Sequence, residues 1–392
     1  IDVNSIESGS VFIYKLVNNE WILHQEIQPP EPAESQRFGN HLAMQGKKLL
    51  IGAPGTKGRN GAAFLYEFNE SNWVLKQELV AEEPVSFEKF GSVSALSDQL
   101  LVVGSKAGIR SELATGTAYV FTLENGVWKQ NQIIRSPESE EHDLFGSKME
   151  ILGASSLAIS APRGSGNIVN EGLVYIYEKT SQGWQEKQTV ASPEGTVGGL
   201  FGGSIDYSTG RLLIGAFETL VDTVYTGAAF LYHGDSEGHW TLNTRFLPAD
   251  LNPQDFFGSE VSIYGQYIVI SSPKWDASDK DTDDGAVFIF ENKADTWWSL
   301  GLISPPDLAP NDHFGTDIEI SDNFLIMGNH LDDAGAFNSG SVYVMDLDVN
   351  TGIEQFEGLT DAEKNHVQNS PNPFLNYTVI DYLLESDSNI DL

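Results

Sequence analysis

The densest run of hard oxygen donors in the chain is Asp276-Ala277-Ser278-Asp279-Lys280-Asp281-Thr282-Asp283-Asp284-Gly285. Asp279, Asp281 and Asp283 alternate, the spacing with which a loop offers carboxylates to calcium. An EF-type loop needs Gly at its sixth position and a bidentate Glu at its twelfth; here the sixth is Asp284, and no Glu follows. Two readings stand: a calcium loop, or a solvated acidic connection between strands. Asp332-Asp333 is a second, thinner run of the same kind. The eight His residues are scattered without a His-Glu-x-x-His pair, which gives zinc no foothold. There is no Cys, hence no thiolate ligand, disulfide or cysteine nucleophile. No P-loop, Rossmann glycine motif or Gly-x-Ser-x-Gly elbow occurs. Among 56 acidic residues, chance proximity of carboxylates is common, so sequence alone nominates no acid–base pair.

The charge narrows the partners. With 22 Lys+Arg against 56 Asp+Glu, the 392-residue chain has a formal net charge of −34. Neutralising nucleic-acid phosphates requires a basic face, and anionic lipid attracts one too, so both partner classes are disfavoured. No stretch approaches the roughly 20 apolar residues of a membrane-spanning helix.

Any functional loop must be carried by the repeats that organise the chain. Phe-Gly occurs at Phe38, Phe90, Phe145, Phe201, Phe257 and Phe314, at spacings of 52 to 57 residues. Fourteen or fifteen residues after each Phe, an aliphatic run ends in a small residue, as in Leu49-Leu50-Ile51-Gly52-Ala53-Pro54 and Leu157-Ala158-Ile159-Ser160-Ala161-Pro162. Gly-x-x-aromatic segments begin at Gly9, Gly61, Gly116, Gly172, Gly227, Gly285 and Gly340. A Trp follows twelve or thirteen residues later in six of these seven, at Trp21, Trp73, Trp128, Trp184, Trp240 and Trp297. A Pro precedes each Phe-Gly by six to nine residues. Each element is short, β-branched or aromatic, and bounded by turn residues, so it reads as a strand. Four strands per unit of this length describe a β-propeller blade.

The predicted fold is therefore an all-β, seven-bladed β-propeller over residues 1–348, the first blade incomplete. The alternative is six blades with residues 1–28 as an extra hairpin. The recognisable strands number 25, three short of seven four-stranded blades. The three would be consecutive in a ring closed by an N-terminal strand, so about 40–50 further residues are expected ahead of Ile1. Repetition also assigns the aromatic pairs Phe12/Tyr14, Phe64/Tyr66, Tyr119/Phe121, Tyr175/Tyr177, Phe230/Tyr232 and Phe288/Phe290 to the core rather than to ligand stacking. A ligand site would use residues that break the repeat, in the connections between second and third strands: 106–115, 163–171, 217–226, 274–284 and 330–339. Arg110, Tyr225 and Trp275 are the candidates there.

The Phe-Gly, Gly-Ala-Pro and Gly-x-x-aromatic series resembles the FG-GAP repeat known from the head propeller of integrin α-subunits. The resemblance implies a propeller and leaves function open, because that family spans adhesion receptors, secreted bacterial proteins and propellers attached to enzymes. The calcium loop of integrin-type blades does not carry over, since the connection Ala95-Leu96-Ser97-Asp98-Gln99 is too short. Residues 349–369 read as a polar linker. Residues 370–392, opening Ser370-Pro371-Asn372-Pro373-Phe374, resemble the start of the C-terminal sorting domain of the type IX secretion system of Bacteroidota, with Pro371, Asn372, Pro373 and Phe374 as the motif.

What these resemblances imply is a non-catalytic secreted or cell-surface propeller, exported across the outer membrane as type IX cargo and presenting loops to a glycan or surface protein. Its C-terminal segment would be read by the translocon and its shuttle or attachment proteins. One alternative is the propeller of a polysaccharide-active enzyme or accessory protein, which a His/Tyr/Arg cluster at the central mouth would favour. Another is a calcium-dependent, integrin-like adhesin.

Overall fold

The computed structural model describes residues 8–18, 20–83, 88–105, 116–137, 143–221, 224–248, 251–276, 283–305, 309–322, 324–332, 340–347 and 377–381. These form a β-propeller of six four-stranded antiparallel sheets and two two-stranded hairpins. One hairpin comes first: β1 (Val11–Val17) and β2 (Glu20–Ile27). Blade I holds β3 (Leu42–Gln45), β4 (Lys48–Ala53), β5 (Ala62–Phe68) and β6 (Trp73–Leu79). Blade II holds β7 (Phe90–Leu96), β8 (Leu100–Ser105), β9 (Thr117–Glu124) and β10 (Val127–Arg135). Blade III holds β11 (Met149–Ile151), β12 (Ser156–Ala161), β13 (Leu173–Thr180) and β14 (Gly183–Ala191).

Blade IV interrupts its meander with a small hairpin. Its strands are β15 (Ser204–Ser208), β16 (Arg211–Ala216), β19 (Ala228–Gly234) and β20 (Trp240–Phe246), with β17 (Leu220–Val221) and β18 (Val224–Tyr225) paired between the second and third. Blade V holds β21 (Val261–Tyr264), β22 (Tyr267–Ser272), β23 (Ala286–Lys293) and β24 (Thr296–Ile303). Blade VI holds β25 (Asp317–Ser321), β26 (Phe324–Asn329), β27 (Ser341–Asp346) and β28 (Tyr377–Asp381).

The repeated residues account for the packing. In blade III, Phe145 sits in tilted and edge-on contact with Tyr175 and Tyr177, centroids 5.7 and 6.4 Å away. Phe38, Phe90 and Phe201 make the same double contact in their own blades. These phenylalanines are at most 2 % exposed, so the aromatic slots are core, as repetition implies. Alternate residues of each strand face the two neighbouring blades; Met149, Leu157 and Tyr175 pack back on Val93, Val102 and Val120, whereas Ala158 and Ile176 pack forward on Phe201 and Ile214.

Two devices set the spacing between blades. At Gly61 the backbone is left-handed (φ 90°), and a Cβ would lie 2.0 Å from the Phe90 carbonyl oxygen of the next blade. Gly227 (φ 83°) meets Phe257 of blade V in the same way, at 2.1 Å. The second device joins the outer strands. Gln77 Nε2 donates to the Trp128 carbonyl (2.7 Å) and its Oε1 accepts from the Trp128 N–H (2.9 Å). Gln132 repeats this with Trp184, and Gln188 with Trp240.

The hairpin obeys the same rules. Gly9 lies against Phe38, and Gln25 makes the double amide bond to Trp73. Val11 and Ile27 join the core of blade I, while Trp21 packs edge-on against Phe324 of blade VI at 5.7 Å. The hairpin thus stands between blades VI and I as the outer half of a blade. In strand count, this is the arrangement of six blades plus a hairpin; in position, the ring has seven places. The outer strand of blade VI is β28, pairing Ser341 with Asp381 and Met345 with Tyr377. Its residues come from the segment that the sequence reading sets apart after the linker.

Candidate functional site

The strand 2–3 connections and the links between blades emerge on one face, because each inner strand begins where the second strand ends: Gly146 N–H donates to the Ser160 carbonyl (2.8 Å). On this face, between blades III and IV, the repeat is broken by three exposed apolar side chains, Val169, Val197 and Tyr225. Backbone bonds connect their segments. Gly198 N–H donates to the Val169 carbonyl (3.4 Å), and the Leu220 N–H donates to Thr196 Oγ1 (3.1 Å). Leu220 pairs with Tyr225 across β17–β18, whose Tyr225 carbonyl accepts from the Gln254 N–H (2.6 Å). The small hairpin is therefore a braced platform that lifts Tyr225 into solvent.

Farther along the face, Asp283 has positive neighbours: Lys274 Nζ at 3.3 Å and His313 Nε2 at 3.7 Å. Its N–H donates to Asp276 Oδ1 (2.7 Å). Lys274 also lies over the Phe256 ring, 5.2 Å from the centroid. Burial pushes Asp255 up to about 6, and Asp276 and Asp283 add to the shift. Burial lowers His313, outweighing the attraction of Asp283. Asp279 and Asp281 lie outside the described residues. Among the described residues, no three His, Asp or Glu side chains are placed to hold a metal ion. Trp275 is half-buried against the core between blades IV and V, and its carbonyl accepts from the Gly285 N–H (2.9 Å). It is a packing residue in this structure, in contrast to Tyr225. Arg110 and Pro371, Asn372, Pro373 and Phe374 lie outside the described residues.

Beneath the face, the inner strands bring a cluster to the propeller axis that the sequence reading missed. Three and five residues after the Phe of Phe-Gly, the chain places Lys148 and Glu150 in blade III, Asp206 in blade IV, Glu260 in blade V, and Asp317 and Glu319 in blade VI. Lys148 Nζ donates to both carboxylate oxygens of Glu260, at 2.7 and 2.9 Å, passing over blade IV to do so. Asp206 Oδ2 accepts from Ser262 Oγ (2.8 Å) and the Ile263 N–H (2.6 Å), and Ser262 Oγ accepts from the Ile320 N–H (3.1 Å). One polar chain thus ties blades IV, V and VI at the axis.

Five carboxyls against one lysine shift one another. Burial raises Glu150 well above the usual range, with Asp206 and Glu319 adding to it. Burial also raises Asp206, against the hydrogen bonds it accepts. Water reaches Glu319, yet crowding by protein and then by Asp206, Asp317 and Glu260 pushes it up to about 8. Asp317 is raised to about 6, by burial and then Glu260. Burial works against the charge of Lys148, but Glu260 more than offsets it and the pKa is raised. At neutral pH the cluster therefore holds protons as well as charge. Its signal was present in the sequence: polar residues alternate with core residues Met149, Ile205, Val261 and Ile318 immediately after each Phe-Gly.

Part of the chain matches a known repeat family. Residues 240–290 and 297–345 match the FG-GAP repeat family. No curated protein matches the chain. Among solved structures, a protein from Lactobacillus plantarum is similar at 16% identity and a TM-score of 0.48, over 83% of this chain and 85% of that one. Kuenenia stuttgartiensis hydrazine synthase is similar at 14% identity and a TM-score of 0.49, over 79% of this chain and 77% of that one. No helix among the described residues is long and apolar enough to cross a membrane. The chain is a β-propeller, and two stretches of it, residues 240–290 and 297–345, match the FG-GAP repeat.

Proposed function

We propose that this propeller is a non-catalytic binding module that works outside the cell and holds a glycan or protein ligand on the loop face around Tyr225. The observation that carries the reading is the joined patch of Val169, Val197 and Tyr225, exposed where the repeat is broken and braced by backbone bonds. A rigid aromatic beside small aliphatic side chains suits the apolar face of a sugar ring or an apolar side chain of a partner. The acidic axis below disfavours polyanions, so the ligand is a neutral glycan or a neutral-to-basic protein surface. Among the described residues, the inner strands bring carboxyls and one lysine to the central mouth, which supports a charged binding surface there.

Export rests on the resemblance of Pro371–Phe374 to a type IX sorting motif, with the translocon and its shuttle or attachment proteins as the corresponding partners. Fusing the segment from residue 349 through the native C-terminus to a reporter, in a bacterium with that system, should carry the reporter to the medium or cell surface. A reporter retained in the periplasm would contradict export. The ligand reading is tested by titrating the purified chain against a panel of neutral and acidic glycans and against surface-protein extract. Val197→Asp and Tyr225→Ala should each weaken binding about tenfold or more, as loss of a central apolar contact does, without lowering Tm. Unchanged affinity in both variants would refute the site.

A further inference from the structure

The loop face breaks the repeat a second time where blade IV meets blade V. Blades I, III and V carry Pro directly after the residue that ends their second strand, at Pro54, Pro162 and Pro273; blade IV carries Phe217. The Phe217 ring is half-buried and meets Phe256 edge-on, centroids 5.7 Å apart. Room for it comes from another departure. Two residues after the Phe of Phe-Gly stand Asn40, Ser92, Ser147, Ser259 and Thr316, but Gly203 in blade IV. A Cβ at Gly203 would lie 2.8 Å from Phe217 Cε1, and no positive φ calls for glycine there. Glycine stands at that position for space, so Phe217 has a built seat.

Polar groups border this aromatic pair. Lys274 Nζ lies over Phe256, and Lys274 Nζ and His313 Nε2 both approach Asp283 Oδ2, at 3.3 and 3.7 Å. A charge-assisted hydrogen bond is roughly 2.7–2.9 Å long, so these donors and acceptors are not spent on one another. The three side chains are 22 to 32% exposed. Backbone bonds fix their places. The Lys274 N–H donates to the Asp255 carbonyl (3.3 Å), the His313 N–H to the Asp283 carbonyl (3.4 Å), and the Asp283 N–H to Asp276 Oδ1 (2.7 Å). Burial lowers the His313 pKa, so its ring is mainly neutral at neutral pH. Lys274 opposes a cationic ligand, whereas Asp276 and Asp283 oppose an anionic one.

We infer that this cleft is a subsite for one neutral hexopyranose unit, whose C–H face rests on Phe217 and whose neighbouring hydroxyls bridge Asp283, Lys274 and His313. The inference rests on the reading of the Tyr225 face as the ligand face, and it narrows that ligand to a neutral glycan. A sugar ring combines an apolar face with hydroxyls that both donate and accept, as this cleft requires. An apolar side chain of a protein partner would cover the Asp283 group without satisfying it. The cleft and the Tyr225 platform are one braced unit: Gln254, whose N–H bonds the Tyr225 carbonyl, lies two residues before Phe256, and Leu220, three residues after Phe217, pairs with Tyr225.

Calorimetric titration of the full chain with D-glucose, D-galactose, D-mannose, their neutral oligosaccharides and D-glucuronate tests the subsite. At least one neutral sugar should bind with a millimolar or tighter Kd, and glucuronate about tenfold more weakly or worse. Asp283→Asn suits the left-handed φ of 49° at that position and should weaken the sugar about tenfold or more while Tm stays within a few degrees. Lys274→Met keeps an apolar stem over Phe256 and should weaken it likewise. Phe217→Pro, which installs the residue of blades I, III and V, should abolish binding with the fold intact by circular dichroism. Tyr225→Ala separates the two readings, because it should weaken oligosaccharides and spare the monosaccharide. Unchanged monosaccharide affinity in both Asp283→Asn and Lys274→Met would overturn the subsite, and a loss in Tyr225→Ala beside it would leave the Tyr225 reading standing. Loss in Asp283→Asn with full oligosaccharide affinity in Tyr225→Ala would uphold the subsite alone. Wild type that binds no neutral sugar, or binds glucuronate more tightly, would also overturn the inference.

Discussion

Gln132 shows how one amide side chain can space two sheets. It both donates to and accepts from the Trp184 backbone, at 2.9 and 2.8 Å, and no other side-chain type offers that geometry at that length. Gln132→Ala should lower stability by about 1–2 kcal/mol, the loss of two part-buried hydrogen bonds, read from the urea midpoint at constant m-value. The Gln lies four residues after the Trp in the hairpin and in blades I to III, whereas Thr244 and Gly301 hold that place in blades IV and V. That recurrence was visible in the sequence beside the Trp series, but a polar residue on an exposed strand attracts no notice until its partner is known. Glu319 makes the second residue-scale prediction. Its folded pKa, about 8, lies above that of an unfolded glutamate, so the native state holds the extra proton between roughly pH 4 and 8. The stabilising contribution is present below the unfolded pKa and is lost as pH rises through the folded one. Tm should fall between pH 5 and 9, and Glu319→Gln should flatten the fall. A Tm–pH curve of unchanged slope in the variant would show that Glu319 is not the group responsible.

At the scale of elements, the strand order was legible because each strand type carries a residue with one physical task. Gly227 must keep a positive φ and lie 2.1 Å, Cβ to carbonyl oxygen, from where any side chain would collide with Phe257. Gly227→Ala should therefore cost about 2 kcal/mol or more through backbone strain and a displaced junction, measured by thermal unfolding. Trp128, which buries its ring between blades I and II, should cost about 3–5 kcal/mol when replaced by Ala. Two elements were not legible. The β17–β18 hairpin has too few residues for any periodicity, and it is the element that raises Tyr225. The inner-strand polar residues Glu150, Asp206 and Glu319 looked like ordinary alternation of an exposed strand, because sequence does not reveal that six inner strands converge on one axis. Trp275 packs partly against the core between blades IV and V, and an aromatic in a loop is indistinguishable in sequence from one that closes a strand end.

For the whole molecule, the division of labour is between junctions and face. The junctions repeat Phe, Gly, Trp and Gln with little variation, bury the core in inter-blade clusters, and leave one half-filled place beside the hairpin. The loop face departs from the repeat, and there the apolar patch of Val169, Val197 and Tyr225 reaches solvent. A protein divided this way should tolerate face substitutions without loss of stability and lose stability on junction substitutions. The most direct test of the binding account is a single comparison. Tagged wild-type chain, the double variant Val197→Asp/Tyr225→Ala, and Glu319→Gln as a control of unrelated position would be used to capture ligands from the same surface extract, each shown folded by Tm. The account predicts a common glycan or protein bound by the wild type and by Glu319→Gln and lost from the double variant. Equal capture by the double variant, or capture of nothing by the wild type, would contradict it.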